Sequence, residues 1–429
     1  MRTDKQERKE ERAILVGVQT SAGAPWEMEE SLAELAELTR TAGAQVIQSM
    51  TQSRPVPDSA YFIGRGKAST VSAAVEESQA DIVIFDCELS PAQQRNLEDL
   101  MGCKVIDRTQ LILDIFAQRA ETKEGKIQVE LAQLDYLMPR LTGHGVMMSR
   151  VGGGIGTRGP GRGPGETKLE VDRRRIRDRI ARLRRDLDSI RLHRGVQRKR
   201  RVSRDIASAA IVGYTNAGKS SLLNAVADAH AFVEDKLFAT LDPRSRKVKL
   251  PNGQIVVFTD TVGFIRKLPH SLVAAFRATL EEATHADIII LVVDSSHQHF
   301  EDHMAVAKQV LRELEAADKP TITVFNKIDL LPDPLIARKL VERTPNSAGI
   351  SVKTGQNISE LFNLVVGILS ERREIVELSI PQDRGEVASL VHERGRVLKS
   401  AYVDGAIVLT AEVDKPLAET LREFTKRNG

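Results

Sequence analysis

The sequence predicts an α/β protein made of four segments in series. Three observations support this fold class: short apolar runs alternate with helical patterns near the start, two heptad patterns flank a glycine-rich stretch, and a second set of apolar runs follows. Alternation of strands and helices is typical of parallel sheets covered by helices. We predict an N-terminal parallel α/β domain (1–120), an antiparallel helical hairpin (121–204) with a Gly-rich tip loop (142–165), a second parallel α/β domain (205–373) and a small C-terminal α+β module (374–429).

The composition is that of a globular protein without covalent cross-links. A chain of 429 residues with 41% hydrophobic residues is long enough to bury several cores. Cys87 and Cys103 lack the spacing of a zinc site or a disulfide framework. The longest apolar run, 288–293, is far shorter than the roughly 20 residues that cross a bilayer, and the charged amino terminus lacks a signal-peptide pattern. We therefore expect a cytoplasmic protein without stable membrane insertion.

The N-terminal segment alternates β-like and helical patterns. The apolar runs 13–18, 44–48, 81–85 and 104–106 predict strands, and the segments 26–42, 67–79 and 91–102 predict helices. Gly64, Gly66 and Lys67 stand where the second helix begins, so this segment is either a phosphate site or an ordinary turn. The sequence leaves open whether the domain binds a second nucleotide.

Two heptad patterns predict the hairpin. The first consists of Ile127, Leu131, Leu134, Met138 and Leu141, and the second of Ile176, Ile180, Leu183, Leu187 and Ile190. Matching spacings of four and three residues favour two helices that pack along one seam. The loop 142–165 between them contains ten glycines, three arginines, two prolines and no acidic residue, so neither helix can continue through it.

The hairpin carries most of the excess positive charge. Residues 166–204 contain sixteen Lys or Arg against six Asp or Glu, whereas the whole chain has a net charge of only +3. A solvated coiled-coil face or an acidic protein partner would explain some of this charge, and the loop could be a linker. Because Arg150, Arg158 and Arg162 lie in the loop, we favour binding to nucleic acid phosphates. The basic stretch contains no aromatic residue, so we expect RNA recognised by shape, and no DNA.

The second α/β domain opens with a phosphate-binding motif. The apolar run 208–212 precedes the pattern G-x-x-x-x-G-K-S, and a helical pattern follows. In this context backbone N–H groups wrap phosphates, Lys219 reaches the outer phosphates and the Ser220 hydroxyl ligates Mg²⁺. The candidate residues of this loop are Gly213, Tyr214, Thr215, Asn216, Ala217, Gly218, Lys219, Ser220 and Ser221.

Two further motifs predict a sensor for the terminal phosphate. The apolar run 255–259 ends in Asp260, Thr261, Val262 and Gly263, where the carboxylate supports the magnesium shell and Gly263 approaches the phosphate. The second motif consists of Phe238, Ala239, Thr240, Leu241 and Asp242. The Thr240 hydroxyl could complete Mg²⁺ coordination when a third phosphate is present. We therefore assign Lys219, Thr240 and Gly263 to catalysis, and Ser220 and Thr240 to the metal.

The base-binding motifs come last. The apolar run 321–325 ends in Asn326, Lys327, Ile328 and Asp329, and a further loop contains Ser351, Val352 and Lys353. A carboxylate at Asp329 accepts hydrogen bonds from the ring and exocyclic N–H groups of guanine, which adenine does not present. The expected cofactors are therefore GTP or GDP with Mg²⁺.

These motifs resemble those of the translation-factor-related GTPases, and almost the whole chain is similar to the HflX family. The resemblance rests on the tip GVMMSRVGGGIGTRGPGRGPGETKLEVDRRRI and on FATLDP, DTVGFI and NKID. The tip carries a few more Gly, Arg and Pro residues than the family pattern GGxGxxGPGETxLExDRR, and Ser351-Val352-Lys353 replaces the commoner Ser-Ala-Lys. The resemblance implies a GTPase that binds the large ribosomal subunit, with the tip near the peptidyl transferase region. Family members can split stalled ribosomes into subunits.

The remaining residues predict the rate of hydrolysis, a second bound ion and the organisation of the C-terminal module. Phe264 stands where Ras-like enzymes place a water-orienting glutamine, so we expect slow hydrolysis unless a partner stimulates it. Family analogy suggests K⁺ beside Asn216, although this side chain could instead bond its own backbone. We expect a monomer whose C-terminal module contains a helix, two strands (397–402 and 406–410) and a final helix from 415. The alternatives are a GTPase of ribosome assembly or RNA modification, and an ATP-dependent RNA remodeller that uses the N-terminal domain.

Overall fold

The computed structural model describes residues 10–19, 25–141, 168–202, 206–227, 237–238, 240–267, 282–371, 373–403 and 405–425. The chain divides into two compact units. The first comprises Met1–Ile190, Glu234–Asp242 and Arg266–Arg277, and the second comprises Arg191–Val233, Pro243–Ile265 and Ala278–Gly429. The fold is of the α/β class, as predicted, while the boundaries of the four segments stay a prediction. None of the helices in the described ranges is long and apolar enough to cross a membrane.

The first unit is built on a parallel four-stranded sheet of order β2-β1-β3-β4. Its strands are β1 (Glu11–Gln19), β2 (Ala44–Ser53), β3 (Ile82–Phe85) and β4 (Lys104–Asp107), and its helices are α1 (Pro25–Ala42), α2 (Arg65–Ser78), α3 (Pro91–Met101) and α4 (Arg108–Arg119). The predicted strands and helices are present with slightly shifted ends. Ser90 and Gln93 form a capping box at the start of α3, and Gly102 ends this helix at φ 66°. Helix α4 was not predicted.

The hairpin pairs α5 (Lys123–Leu137) with α6 (Lys168–Val202). Its apolar seam consists of Ile127, Leu131, Leu134, Leu183, Leu187 and Ile190. Arg179 donates hydrogen bonds of 2.7 and 2.8 Å to the Glu130 carboxylate across the two helices. The last positions of the first heptad pattern were wrong, because α5 ends at Leu137 and a 3-10 turn occupies Met138–Arg140. Pro139 explains this ending, since proline cannot donate the backbone hydrogen bond that continues a helix.

The second unit contains a six-stranded sheet of order β10-β9-β8-β5-β7-β6. Its strands are β5 (Ala207–Gly213), β6 (Arg244–Lys249), β7 (Ile255–Asp260), β8 (Ile288–Asp294), β9 (Thr321–Asn326) and β10 (Ser347–Gly349), and its helices are α7 (Lys219–Val226), α8 (Phe300–Glu313), α9 (Pro334–Arg343) and α10 (Ile358–Glu371). Only β6 runs antiparallel to its neighbour. The carboxyl ends of β5, β7 and β9 therefore lie at one edge of the sheet, where ligands bind in such folds.

The C-terminal part of this unit is a three-stranded antiparallel sheet of order β11-β13-β12. The elements are β11 (Arg373–Pro381), α11 (Gly385–Arg394), β12 (Arg396–Val403), β13 (Ala406–Asp414) and α12 (Lys415–Thr420). The expectation that a helix begins this module was wrong, because a strand precedes the helix. The buried residues of β11, Val376, Leu378 and Ile380, recur at every second position, which is the period of a strand with one face in the core.

Candidate nucleotide-binding site

The loop between β5 and α7 has a backbone conformation that requires glycine at two positions. Gly213 and Gly218 have φ angles of 149° and 97°. A Cβ atom would lie 2.2 Å from the Val292 carbonyl oxygen at Gly213, and 2.3 Å from Asn326 Nδ2 at Gly218. Gly218 is the N-cap of α7, so the loop leads directly into the start of this helix, whose first N–H groups have no carbonyl acceptor within the helix itself. Such a helix start favours a bound anion.

Lys219, the first residue of α7, holds its amine inside the loop. Its Nζ donates a 2.7 Å hydrogen bond to the Tyr214 carbonyl oxygen, and the side chain is only 7% exposed. Burial lowers the pKa of Lys219 from 10.5 to about 8, and the nearby Asp260 carboxylate opposes this shift. The charged amine is therefore poorly solvated. A phosphate would supply the negative charge that this site lacks.

Ser220 and Asp260 bring a hydroxyl and a carboxylate together beside the loop. Ser220 Oγ donates a 2.7 Å hydrogen bond to Asp260 Oδ2. Strands β5 and β7 place Asp260 opposite Ile211 in parallel register, and the carboxyl group is fully buried. This pair of oxygen ligands fits Mg²⁺, which prefers carboxylates, hydroxyls and water. The neighbouring Thr261 hydroxyl donates to the Ile211 carbonyl oxygen at 2.8 Å, so its side chain joins the two strands.

The turn after Asp260 packs directly against the phosphate-binding loop. The Thr215 N–H donates to the Phe264 carbonyl oxygen at 2.8 Å, and the Phe264 N–H donates to the Gly213 carbonyl oxygen at 3.0 Å. A Cβ atom at Gly263 would lie 2.8 Å from Lys219 Nζ and 2.9 Å from Thr215 Cα. Only glycine fits this position without displacing the lysine or the loop. Val262 is also buried.

The predicted base-binding residues meet at the end of β9. Asn326 Nδ2 donates to the Ala217 carbonyl oxygen at 2.9 Å, and Asn326 Oδ1 accepts from the Val352 N–H at 3.1 Å. One buried side chain thus joins the phosphate-binding loop to the loop after β10. Ile328 and Asp329 form a 3-10 turn in which Asp329 is exposed, as a group that receives a base must be.

The remaining members of this set are also at this edge. Ser351 is fully buried, and its Oγ accepts from the Thr354 N–H at 3.2 Å. Lys353 is exposed. Lys327 has a φ angle of 65°, and its Nζ lies 2.7 Å from Asp294 Oδ2. The sequence motifs do not predict this ion pair, because Asp294 belongs to none of them and meets Lys327 only through the pairing of β8 with β9.

A stacked pair of rings near the phosphate-binding loop was also missed. The Tyr214 and His303 rings are parallel, with centroids 3.8 Å apart and an interplanar angle of 3°. His303 lies on α8, and the centroid of its ring also lies 4.4 Å from that of His297, at an interplanar angle of 35°. Since the Tyr214 carbonyl oxygen holds Lys219, the ring stack stabilises a residue in contact with the catalytic candidate. A lone histidine in a helical pattern gives no indication of this contact.

The candidate switch segment 238–242 belongs to the first unit. Ala239 lies outside the described residues. Phe238, Thr240 and Leu241 are buried, and the Phe238 ring packs edge-on against Phe116 with centroids 4.7 Å apart. The structure therefore brings together the four other motifs in the second unit, whereas this segment packs within the first.

The fold and the site together define a P-loop GTP-binding protein, because a parallel sheet carries the phosphate loop, the hydroxyl and carboxylate pair, and an exposed Asp329 at one edge. Three family models match the chain: GTP-binding GTPase N-terminal at 29–117, GTP-binding GTPase Middle Region at 119–201 and 50S ribosome-binding GTPase at 208–327.

The curated relatives give the same result. The chain is 48% identical over 418 residues to GTPase HflX of Caldanaerobacter subterraneus, which covers 97% of this chain and 94% of that protein. It is 43% identical over 396 residues to GTPase HflX of Escherichia coli, with 92% and 91% covered. A GTP-binding protein from Sulfolobus solfataricus, solved in complex with GDP, is 26% identical with a TM-score of 0.45, and the match covers 84% of this chain and 99% of that one. The chain belongs to the HflX family, and it is a GTPase that binds GTP and GDP.

Proposed function

We propose that this GTPase binds the large ribosomal subunit, that docking stimulates its hydrolysis of GTP, and that it splits or rescues stalled ribosomes. The observation that carries this proposal is the basic face of α6. Its outward residues Arg174, Arg175, Arg177, Arg182, Arg184 and Arg185 are exposed. The matching description of residues 208–327 as a 50S ribosome-binding GTPase supports the same partner. We further infer a cytoplasmic monomer.

The hairpin presents this charge on a rigid support. Ile176, Ile180 and Leu183 are buried on the opposite face of α6, so the arginines between them point outwards. The Glu130 carboxylate raises the pKa of Arg179 by accepting its hydrogen bonds. A row of guanidinium groups along one helix face matches the phosphates of folded RNA. The tip loop with Arg150, Arg158 and Arg162, and the side chains of 198–201, lie outside the described residues.

Within the nucleotide site, we assign roles according to the contacts described above. The loop 213–218 and the N–H groups of α7 would hold the phosphates, and Lys219 would exchange its bond to Tyr214 for the outer phosphates. Ser220 and Asp260 would hold Mg²⁺, which neutralises phosphate charge when bound, and Thr240 would add a ligand in the GTP state. Gly263 would present its N–H to the terminal phosphate. Asn326, Asp329 and the 351–353 loop would bind the base.

Slow intrinsic hydrolysis follows from the position of Phe264. Its ring is 1% exposed and packs in the apolar cluster that contains Tyr214. Neither Phe264 nor Ile265, the two buried residues directly after Gly263, offers a polar side chain that orients the attacking water. The bound partner would supply or order this group, which would tie hydrolysis to docking.

A potassium ion beside the phosphates is a separate proposal for Asn216. Its φ angle of 60° places the residue in a left-handed turn of the loop. Hydrolysis by the full chain and by Asn216→Ala would be compared in potassium and in sodium. A rate that depends on potassium only in the unchanged protein would support the ion. Equal rates in both salts would contradict it.

The ribosome proposal is tested by measuring GTP hydrolysis with small subunits, large subunits and intact ribosomes at two salt concentrations. Large subunits should stimulate hydrolysis, and salt should weaken the effect because phosphate contacts release counterions. Replacement of Arg177, Arg182 and Arg185 by Ala should reduce stimulation, whereas Lys339→Ala with Arg343→Ala, two exposed basic residues on α9, should not. Stimulation by small subunits alone would favour the alternative of ribosome assembly or RNA modification.

Splitting itself requires a different measurement. Intact ribosomes would be incubated with the protein and a non-hydrolysable GTP analogue, then separated by sedimentation. Conversion to free subunits should require the residues 152–163 of the tip. Binding to intact ribosomes without their conversion to subunits would contradict the splitting role while leaving the GTPase and its partner in place.

A further inference from the structure

We propose that Asp242 is a positioning residue that fastens the switch segment to the first turn of hairpin helix α5, and that this contact couples the GTP state to the hairpin. The inference rests on the proposed role of Thr240 as a Mg²⁺ ligand, two residues before Asp242. Both partners of the contact belong to the first unit.

The Asp242 carboxylate accepts three hydrogen bonds from two consecutive residues at the start of α5. Its Oδ2 accepts from the Glu121 N–H at 2.9 Å and from the Thr122 N–H at 2.8 Å, and its Oδ1 accepts from the Thr122 hydroxyl at 2.5 Å. Hydrogen bonds to a charged group are stronger than neutral ones. This carboxylate, 9% exposed, is therefore a firm attachment point.

The same carboxylate takes part in capping α5. Thr122 is the N-cap residue, and its Oγ1 accepts from the Gly125 N–H at 3.0 Å while donating to Asp242. A negative charge at a helix N-terminus also interacts favourably with the helix dipole. The segment that senses nucleotide thus supplies part of the cap of the helix that leads to the tip loop.

Gly125 provides an independent observation of this contact. It lies in the first turn of α5, where glycine disfavours a helix relative to alanine. A Cβ atom there would lie 2.3 Å from Asp242 Oδ1 and 3.1 Å from its Cγ. The helix therefore contains a poor helix former at a position where a methyl group would displace the Asp242 carboxylate.

The start of the switch segment also packs against the first unit. The Phe238 ring is buried against Phe116 of α4, and its φ angle is 54°, which an L-residue rarely adopts. With Phe238 before it and Asp242 after it, Thr240 has little freedom of position. If Mg²⁺ with GTP binds Thr240, its binding should also stabilise the start of α5. By linkage, the contact between Asp242 and α5 should then increase the affinity for GTP, relative to that for GDP, by the same factor.

The test measures the affinities of the full chain for a non-hydrolysable GTP analogue and for GDP in the presence of Mg²⁺. Asp242→Ala and Thr122→Val should each lower the affinity for the analogue by about tenfold and leave the affinity for GDP unchanged. Thr122→Ser keeps the hydroxyl and should retain the affinity for the analogue. Gly125→Ala should also weaken the analogue, although alanine favours the helix, so a loss of helix stability would not explain its effect.

Hydrogen exchange supplies the reciprocal measurement. The analogue, but not GDP, should slow exchange at the Thr122 and Gly125 amides, and Asp242→Ala should abolish the difference. Equal losses of GDP and analogue affinity, or a Thr122→Ser variant as weak as Thr122→Val, would overturn the proposal. Thr240→Ala separates the two ideas: if it leaves the analogue affinity unchanged, the proposed role of Thr240 fails, and if it alone weakens the analogue, the Asp242 contact fails.

Discussion

Replacement of Asn326 by alanine should destabilise the second unit and weaken both guanine nucleotides equally. Its side chain donates to the Ala217 carbonyl oxygen and accepts from the Val352 N–H, and the residue is 3% exposed. Each lost bond that leaves a buried partner costs about 1–3 kcal/mol. For two such bonds we expect a loss of about 2–6 kcal/mol in unfolding free energy. The melting temperature should fall by about 2–4 °C per kcal/mol.

Scanning calorimetry and nucleotide titration would measure these two effects. The matched control is Asn357→Gly, since Asn357 Nδ2 donates a single bond to the Gly349 carbonyl oxygen and its φ angle of 61° suits glycine. The control should lose less stability and keep its nucleotide affinity. An Asn326→Ala protein with unchanged melting temperature would refute the reasoning from hydrogen bonds. A loss confined to GTP would refute the assignment to both nucleotides, because neither contact involves the third phosphate.

Three other predictions concern the same site. Burial lowers the pKa of Lys219 from 10.5 to about 8. Between these two pH values the folded protein binds fewer protons than the unfolded chain, so the stability of the nucleotide-free protein should rise from about pH 8 to 10.5. Nucleotide binding should take up protons in that range, which calorimetry in two buffers would detect, and its absence would contradict the shift. His303→Ala should speed nucleotide release by a few-fold while His303→Phe, which keeps a ring against Tyr214, should not, as followed by stopped-flow fluorescence. Asp329→Ala should weaken GTP by about 100-fold or more without improving competition by ATP, and unchanged GTP affinity would refute its role.

The nucleotide site could be predicted because each of its motifs is local. The strand, glycine loop and helix around Lys219 are continuous in sequence, and parallel strands necessarily gather their carboxyl ends. Asp260 and Asn326 each end an apolar run, so their common edge followed from the topology alone. The residue roles assigned to this site stay predictions.

The elements that sequence reasoning missed depend on distant contacts or on polar edges. Strand β6 has only Val248 buried, since it lies at the sheet edge, and so it lacks a strong apolar pattern. The partners of Asp242 precede it by about 120 residues, at Glu121 and Thr122. Likewise, nothing near His303 indicates that its ring meets the phosphate loop. These contacts depend on tertiary packing, and a single sequence does not show which distant residues come into contact.

The fit of Gly125 against the Asp242 carboxylate also constrains how these two positions can change during evolution. A side chain at 125 is compatible only with a shorter or displaced residue at 242, because a Cβ atom at 125 would lie 2.3 Å from Asp242 Oδ1. An alanine at 125 would therefore be tolerated where residue 242 has already lost its carboxylate, and the order of the two substitutions would matter. Among related chains, the two positions should covary despite their separation in sequence.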